Sequence, residues 1–320
     1  MILGICGANI TEENIAGGQI GYEIDRLSEE GSAYYDEVIL IEPRKVVHIF
    51  DPHHHTPQVK YGERDISLLN TCIFRSISGA EESISLLARN LQYCGCDILD
   101  PPERFSGAPS GKLFDALKGF RRKIMPETYF AFNQDSAINI IEDIKSKNIF
   151  PVVLKPGKGS RGENVVLAKS SVEALDYILR FYHDRNKTSS SVIIQKYIEI
   201  EEEFRGIVLG GRCLGLAKKI PSDGRIARNA AQGGKFTGAS DREISMFVEE
   251  NASNKGLVGV DVARDKHGRI HYIESNRSPQ WKNFEEATGI NIARILIEYA
   301  YQLASKQVDL FLNLKRTNDG

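Results

Sequence analysis

Residues 151–170, PVVLKPGKGSRGENVVLAKS, set Gly157, Gly159 and Gly162 in the spacing G-x-G-x-x-G between two apolar runs. A dinucleotide-binding turn with this spacing must open a helix whose N-terminus meets a pyrophosphate. Here the β-branched run ENVVLA follows the glycines and reads as a strand. A Walker A loop needs Lys after its second glycine, where this chain has Glu163. The protein-kinase pattern fails as well: Lys169 follows the glycines too closely, and neither H-R-D-x-x-x-x-N nor D-F-G occurs further on. What remains is a glycine-rich hairpin between two strands. Lacking Cβ atoms, such a turn brings backbone N–H groups against phosphates, and Lys158 and Arg161 add positive charge. Taken alone, it reads equally well as a solvated basic hairpin.

Outward from the hairpin, the first hundred residues alternate apolar runs (MILGIC, DEVILIE, CIFRS) with amphipathic stretches (GQIGYEIDRLSEEG, EESISLLARNLQYCG), the order of an open α/β layer. LDPPERFSGAPSG, residues 99–111, is the best linker. Beyond it come a helix containing KLFDALKGF, the hairpin, and the helix SVEALDYILRFYHD. The strands VIIQKYI, EFRGIVLG, RCLGLAKKI, GLVGVDVAR and RIHYIESN follow, interrupted by one helix around DREISMFVEENASN. One long amphipathic helix, EEATGINIARILIEYAYQLAS, closes the chain. The expected units are 1–105, 106–190 and 191–320.

Forty-one Lys and Arg against 43 Asp and Glu leave a net charge of −2, which argues against bulk attraction to nucleic acid or an anionic membrane. No signal peptide and no membrane span are expected, so the default compartment is the cytoplasm. Five scattered cysteines read as reduced thiols, and His53-His54-His55, with prolines on either side, as a polar loop rather than a metal site.

The segment GLVGVDVARDKHGRIHYIESNRSPQW carries the metal chemistry. Asp265-Lys266-His267-Gly268 reads as a turn between antiparallel strands. If Arg264 pairs with Arg269, Asp261 falls opposite Tyr272 and Gly259 opposite Glu274, which puts Asp261, Glu274 and Asn276 on one face. Two acids and an amide are hard oxygen donors suited to Mg²⁺.

At this point the chain resembles the ATP-grasp ligases, and among them the RimK-type enzymes that join amino acids to carboxylates. KLFDALK, FPVVLKPGKGSRGENV, IIQKYI, EFRGIVLGGR, RNAAQGG, VGVDV, IESNRSP and TGINIA occur in the expected order, preceded by a region with IFRSISGAEE. The resemblance implies an α/β and α+β protein, with an N-terminal open α/β pre-ATP-grasp domain followed by a two-lobed ATP-grasp fold holding ATP between its lobes. It implies that Lys112 and Lys155 are nucleotide lysines, that Gly157, Gly159, Ser160 and Gly162 cover the phosphates, and that Gln195, Lys196, Tyr197 and Ile198 form the adenine edge. Glu203 would take the ribose hydroxyls, and Arg205, Lys219, Arg228 and Asn229 the phosphate and acyl phosphate. Asp261, Glu274 and Asn276 match the metal ligands, for Mg²⁺ or Mn²⁺. The partners would be a carboxylate donor and an amine acceptor (amino acid, peptide or protein terminus), with no membrane or nucleic acid, and the resemblance allows a homo-oligomer. Two departures stand out. Lys196 replaces a common Glu, and ESNRSPQW differs around Ser-Pro, so Arg277, Gln280 and Trp281 mark where acceptor specificity would differ. A kinase on the same nucleotide fold and a non-catalytic nucleotide-binding protein are the competing readings.

Overall fold

The computed structural model describes residues 1–100, 111–157, 164–183, 191–220, 235–252 and 256–306. The chain opens with β1 (Ile2–Gly7), the helices α1 (Glu12–Ala16) and α2 (Tyr22–Gly31), and β2 (Glu37–Ile41). Three short strands, β3 (Val46–Ile49), β4 (Gln58–Tyr61) and β5 (Arg64–Asp65), form an antiparallel sheet of their own, with the exposed triple histidine in the β3–β4 connection. Then come β6 (Thr71–Arg75), α3 (Glu81–Tyr93) and β7 (Asp97–Ile98). The first sheet runs β2-β1-β6-β7, all parallel. A parallel sheet is covered on both faces, which is why its central strands are apolar without alternation. Here α2 packs on one face and α3 on the other.

Past the undescribed linker, α4 (Gly111–Arg122) leads into β8 (Thr128–Ala131), α5 (Gln134–Ser146), β9 (Val152–Pro156), β10 (Val166–Ala168), α6 (Ser171–His183) and β11 (Val192–Lys196). The strands form an antiparallel sheet of order β10-β9-β11-β8, so the hairpin of β9 and β10 stands with Val166 opposite Leu154. β11 therefore belongs with this unit, and the expected division at 190/191 shifts to its far end. The strand is tied there by burial, since Val192 and Ile194 enter the core beneath α5 and α6.

The last unit comprises β12 (Ile200–Leu209), β13 (Arg212–Ile220), β14 (Lys235–Ala239), α7 (Arg242–Asn251), β15 (Leu257–Asp265), β16 (Ile270–Asn276), α8 (Lys282–Thr288) and α9 (Ile292–Ala304). Its antiparallel sheet has the order β14-β13-β12-β15-β16. The single closing helix expected from the sequence is two helices. Gly289 ends α8 in the left-handed conformation, φ 72°, and Asn291 caps α9 by accepting from the Arg294 N–H. That break lets α9 turn back onto α2, joining both ends of the chain in one apolar core with Leu3, Ile24, Trp281, Phe284 and Leu296. Among the described residues no helix is long and apolar enough to cross a membrane.

Candidate functional site

Strand alternation decides what faces the space between the second and third sheets. In β8, β9 and β11, Ala131, Val152, Leu154, Val192 and Ile194 turn toward α5 and α6. Their neighbours Thr128, Phe130, Lys155, Ile193 and Gln195 therefore turn the other way. They line a small cleft together with Lys112 from α4 and with Ile273 and Glu274 from β16. Apolar side chains form part of the wall and a few polar groups converge on it, the usual make-up of a ligand site.

The two cleft lysines are held by neutral acceptors. Lys155 Nζ donates to Gln195 Oε1 at 3.1 Å, while Gln195 Nε2 donates to Thr128 Oγ1 at 2.8 Å, which fixes the amide's orientation. Lys112 Nζ donates to the Pro156 carbonyl at 3.0 Å, just before the glycine turn. Burial lowers the pKa of both lysines, and Glu274 partly offsets it. A phosphate would offset it further.

The third sheet carries a different arrangement. Arg205 on β12 pairs directly with Asp261 on β15 and grips it through two bonds, Nε to Oδ1 at 2.7 Å and an NH2 nitrogen to Oδ2 at 2.8 Å. Lys219 of β13 donates to Asp261 Oδ2 at 2.8 Å and to Glu203. Glu203, Lys219 and Asp261 are buried, so two cations and two anions form one desolvated group. Burial works against the charged forms throughout. Asp261 is nonetheless held well below the usual carboxylate range by Arg205 and Lys219, and both cations are raised by their carboxylate neighbours.

The hairpin of β15 and β16 corrects the expected register. Arg264 pairs with Ile270, not Arg269, and Val262 with Tyr272; Ile273 is then an extra residue, and Asp261 falls directly opposite Glu274. A bulge re-aims the side chains beyond it. Tyr272 stays in the core under α7 whereas Glu274 turns into the cleft. Gly259 pairs with Asn276, so Asp261, Glu274 and Asn276 share a face in this register too.

As donors the three fit a hard cation, with a condition. No group of three His, Cys, Asp or Glu placed to hold a metal exists among the described residues, and Asp261 gives both oxygens to Arg205 and Lys219. Asn276 is exposed, with Oδ1 accepting from the Ser278 N–H at 2.9 Å. Of the three side chains, that of Glu274 alone has no hydrogen bond to another described residue, and Asp261 would be available to a cation only if another anion took over its two cations.

Other expected residues have more specific surroundings than the sequence indicated. Glu203, assigned to ribose, is engaged by Lys219. Gly157 packs closely on Ser191: a Cβ there would lie 1.8 Å from Ser191 Oγ, so the hydroxyl would have to move. The N–H groups of Lys196 and Tyr197 are bound to the carbonyls of Glu127 and Pro151, at 2.8 and 3.1 Å. The Ile198 N–H has no partner among the described residues. Gly159, Ser160, Gly162, Arg228 and Asn229 lie outside the described residues. The sequence reading passed over Asp115, one helical turn beyond Lys112 on α4. Its carboxylate accepts from Tyr272 Oη and Ser275 Oγ, both at 2.7 Å, and from the Ser275 N–H at 2.9 Å. It clamps β16 on both sides of Glu274. The only hint in the sequence was an acid at an otherwise apolar position of an amphipathic helix.

Comparison with known proteins agrees with this geometry. A RimK-like ATP-grasp domain matches residues 118–300. A probable alpha-L-glutamate ligase of Legionella pneumophila (strain Corby) is 29% identical over 287 residues, covering 87% of this chain and 91% of that protein. In fold, the chain is similar to the ATP-grasp ligase PsnB complexed with minimal precursor, Mg and ADP, with a TM-score of 0.68 at 12% identity over 95% of this chain and 98% of the other. It is similar also to D-alanyl-alanine synthetase A from Vibrio cholerae O1 biovar eltor str. N16961, with a TM-score of 0.65 at 13% identity over 96% and 98%. With more than half of its length matched, this chain belongs to the RimK-like ATP-grasp family.

Proposed function

We propose that this protein is an ATP- and Mg²⁺-dependent, ADP-forming carboxylate–amine ligase acting on amino acids or peptides. The observation that carries the reading is the convergence of two unlike charged groups on Glu274: Lys112 and Lys155, held by neutral acceptors, and Arg205, bound with Lys219 to Asp261, with Glu274 in electrostatic reach of both lysines and of Arg205. Bound ATP, with Mg²⁺ or Mn²⁺, supplies the phosphoryl group that turns a substrate carboxylate into an acyl phosphate, from which an amine displaces phosphate to leave an amide.

In this reading the chain's own residues position and neutralise. Lys112 and Lys155 bind phosphate oxygens, and the Ile198 N–H, without a partner among the described residues, meets the adenine edge. Glu274 and Asn276 hold the metal, with Asp261 joining them. Arg205 has the planar fork that grips a carboxylate or a phosphoryl group in two-point fashion, which it shows here with Asp261. An arriving substrate carboxylate competes for that fork. The relatives' name as glutamate ligases supports L-glutamate as one reactant.

The test is ADP and phosphate release from Mg²⁺-ATP with pooled amino acids and peptides, the products weighed by mass spectrometry. ADP release coupled to a product of amide mass is expected. A phosphorylated product formed without an amine would replace this reading with a kinase.

A further inference from the structure

Arg75 ends β6, and no described residue hydrogen-bonds its side chain: Nε and both terminal nitrogens are buried without a partner. The residue is 1% exposed. Its guanidinium lies 5.1 Å from the ring of Trp281, whose own Nε1 is also buried and unpartnered among the described residues. Two donor-only groups, one from the first sheet and one from the segment after β16, thus meet with no acceptor between them. The nearby carboxylates of Asp100 and Glu23 act on Arg75 electrostatically, yet neither is hydrogen-bonded to it. Leaving so strong a set of donors unpaired is costly unless something else completes it.

The place in the fold is informative in its own right. In the order β2-β1-β6-β7 the chain winds outward in opposite directions from β1 and β6. Ligands of open parallel sheets bind outside the carboxyl ends of the two strands where the winding reverses. Arg75 pairs with Gly7 at that point, where a Cβ on Gly7 would lie 2.5 Å from the Arg75 carbonyl. Ser76 follows at φ 50°, an unusual conformation for a non-glycine residue. Trp281 comes five residues after Asn276, so this crevice and the proposed metal strand share a connection.

We infer that the carboxyl end of β6 is a carboxylate subsite, in which Arg75, with Trp281 against it, holds a free carboxylate of an acidic amino-acid substrate. The planar fork of Arg75 suits two-point binding of a carboxylate, and the indole N–H supplies a third donor. Because both groups are enclosed, Trp281 must shift for the ligand to enter. The inference rests on the ligase reading only for the chemical class of the ligand.

Trp281 is the chain's one tryptophan, so its emission reports on this crevice alone. The experiment titrates the full chain, without ATP, with L-glutamate and with L-glutamate diamide, in which both carboxylates are neutral amides. A saturable emission change with glutamate and none with the diamide is expected. It should weaken by about tenfold or more in Arg75→Lys, which keeps the charge and loses the fork, and vanish in Arg75→Met. An equal response to the diamide overturns the inference, as does wild-type silence at about 10 mM, ten times the top of the ordinary KM range. Both readings use wild-type protein, so a variant that fails to fold does not shield the idea. ADP release by the same preparation separates the two proposals: turnover with a silent Trp281 sinks this subsite and leaves the ligase standing.

Discussion

In the β12–β15 sheet, Arg205 and Lys219 are hydrogen-bonded to the carboxylates of Asp261 and Glu203. On the β9–β11 side, Lys112 and Lys155 are hydrogen-bonded, among the described residues, only to a carbonyl and an amide oxygen, with Glu274 acting from a distance. Burial is similar in kind, but the charge bookkeeping is opposite. The balanced side is complete as it folds, and its members depend on one another. The other holds surplus positive charge whose natural complement is a polyanion from solution. Removing one charge should therefore damage folding on the first side and binding on the second.

The largest effect is expected at Asp261. Asp261→Asn keeps the shape but strands Arg205 and Lys219 against Glu203, and breaking a buried ionic group from one side typically costs about 3–5 kcal/mol. Denaturant unfolding should show that loss together with abolished turnover. Wild-type stability in this variant would mean that the cluster is not the cooperative unit its geometry indicates.

Lys155→Ala sharpens the contrast from the opposite side. Stability should stay within about 1 kcal/mol, because the lost bond to Gln195 is set against relief of a desolvated charge. Turnover should fall on the order of 10²–10³-fold, the scale seen when a charge-stabilising donor is removed. A stability loss as large as that of Asp261→Asn would erase the distinction between the two sides.

Asp115 tests whether the unpaired side depends on being held in place. Asp115→Ala removes the acceptor for Tyr272 and for both donors of Ser275, so stability should drop by about 1–3 kcal/mol and kcat by roughly tenfold as Glu274 loses its clamp. Asp115→Asn, which keeps an acceptor oxygen, should recover part of both. Loss of kcat without any loss of stability would point to direct contact with substrate instead.

How much of this could be read in the sequence follows the range of the interactions. The strands of the hairpin and the face shared by Asp261, Glu274 and Asn276 rest on local periodicity, and they were legible. The bulge at Ile273 was not, because nothing in HYIES marks which residue the pairing skips; that is set by Tyr272 reaching the core and Asp115. β11 was placed in the wrong unit for a similar reason, since an apolar strand does not name its partners. The break at Gly289 was legible in principle, as a glycine followed two residues later by Asn is a stop and a cap. The pairing of Asp261 with Arg205 and Lys219 joins β15 to the β12–β13 hairpin across 56 and 42 positions of sequence, and only the sheet order brings it about.

The smallest effect is a pH dependence confined to the lysine side. Burial places the pKa of Lys112 and Lys155 below the ordinary lysine value of about 10.4. The charged form that binds phosphate is lost as pH rises through that lowered value, earlier than for a solvated lysine. KM for ATP should rise by about two- to tenfold on the alkaline side, in the range of one weakened charge-assisted contact. ATP binding should also take up protons there, because phosphate raises the lysine pKa again. Calorimetry in two buffers of different ionisation enthalpy measures that uptake directly. Arg205 provides the control, since its raised pKa keeps it charged throughout and the paired side should contribute no alkaline change. Lys155→Arg, which cannot lose its charge in this range, should flatten the profile. A profile unchanged in both Lys155→Arg and Lys112→Arg would assign the titration elsewhere and leave the two sides electrostatically alike.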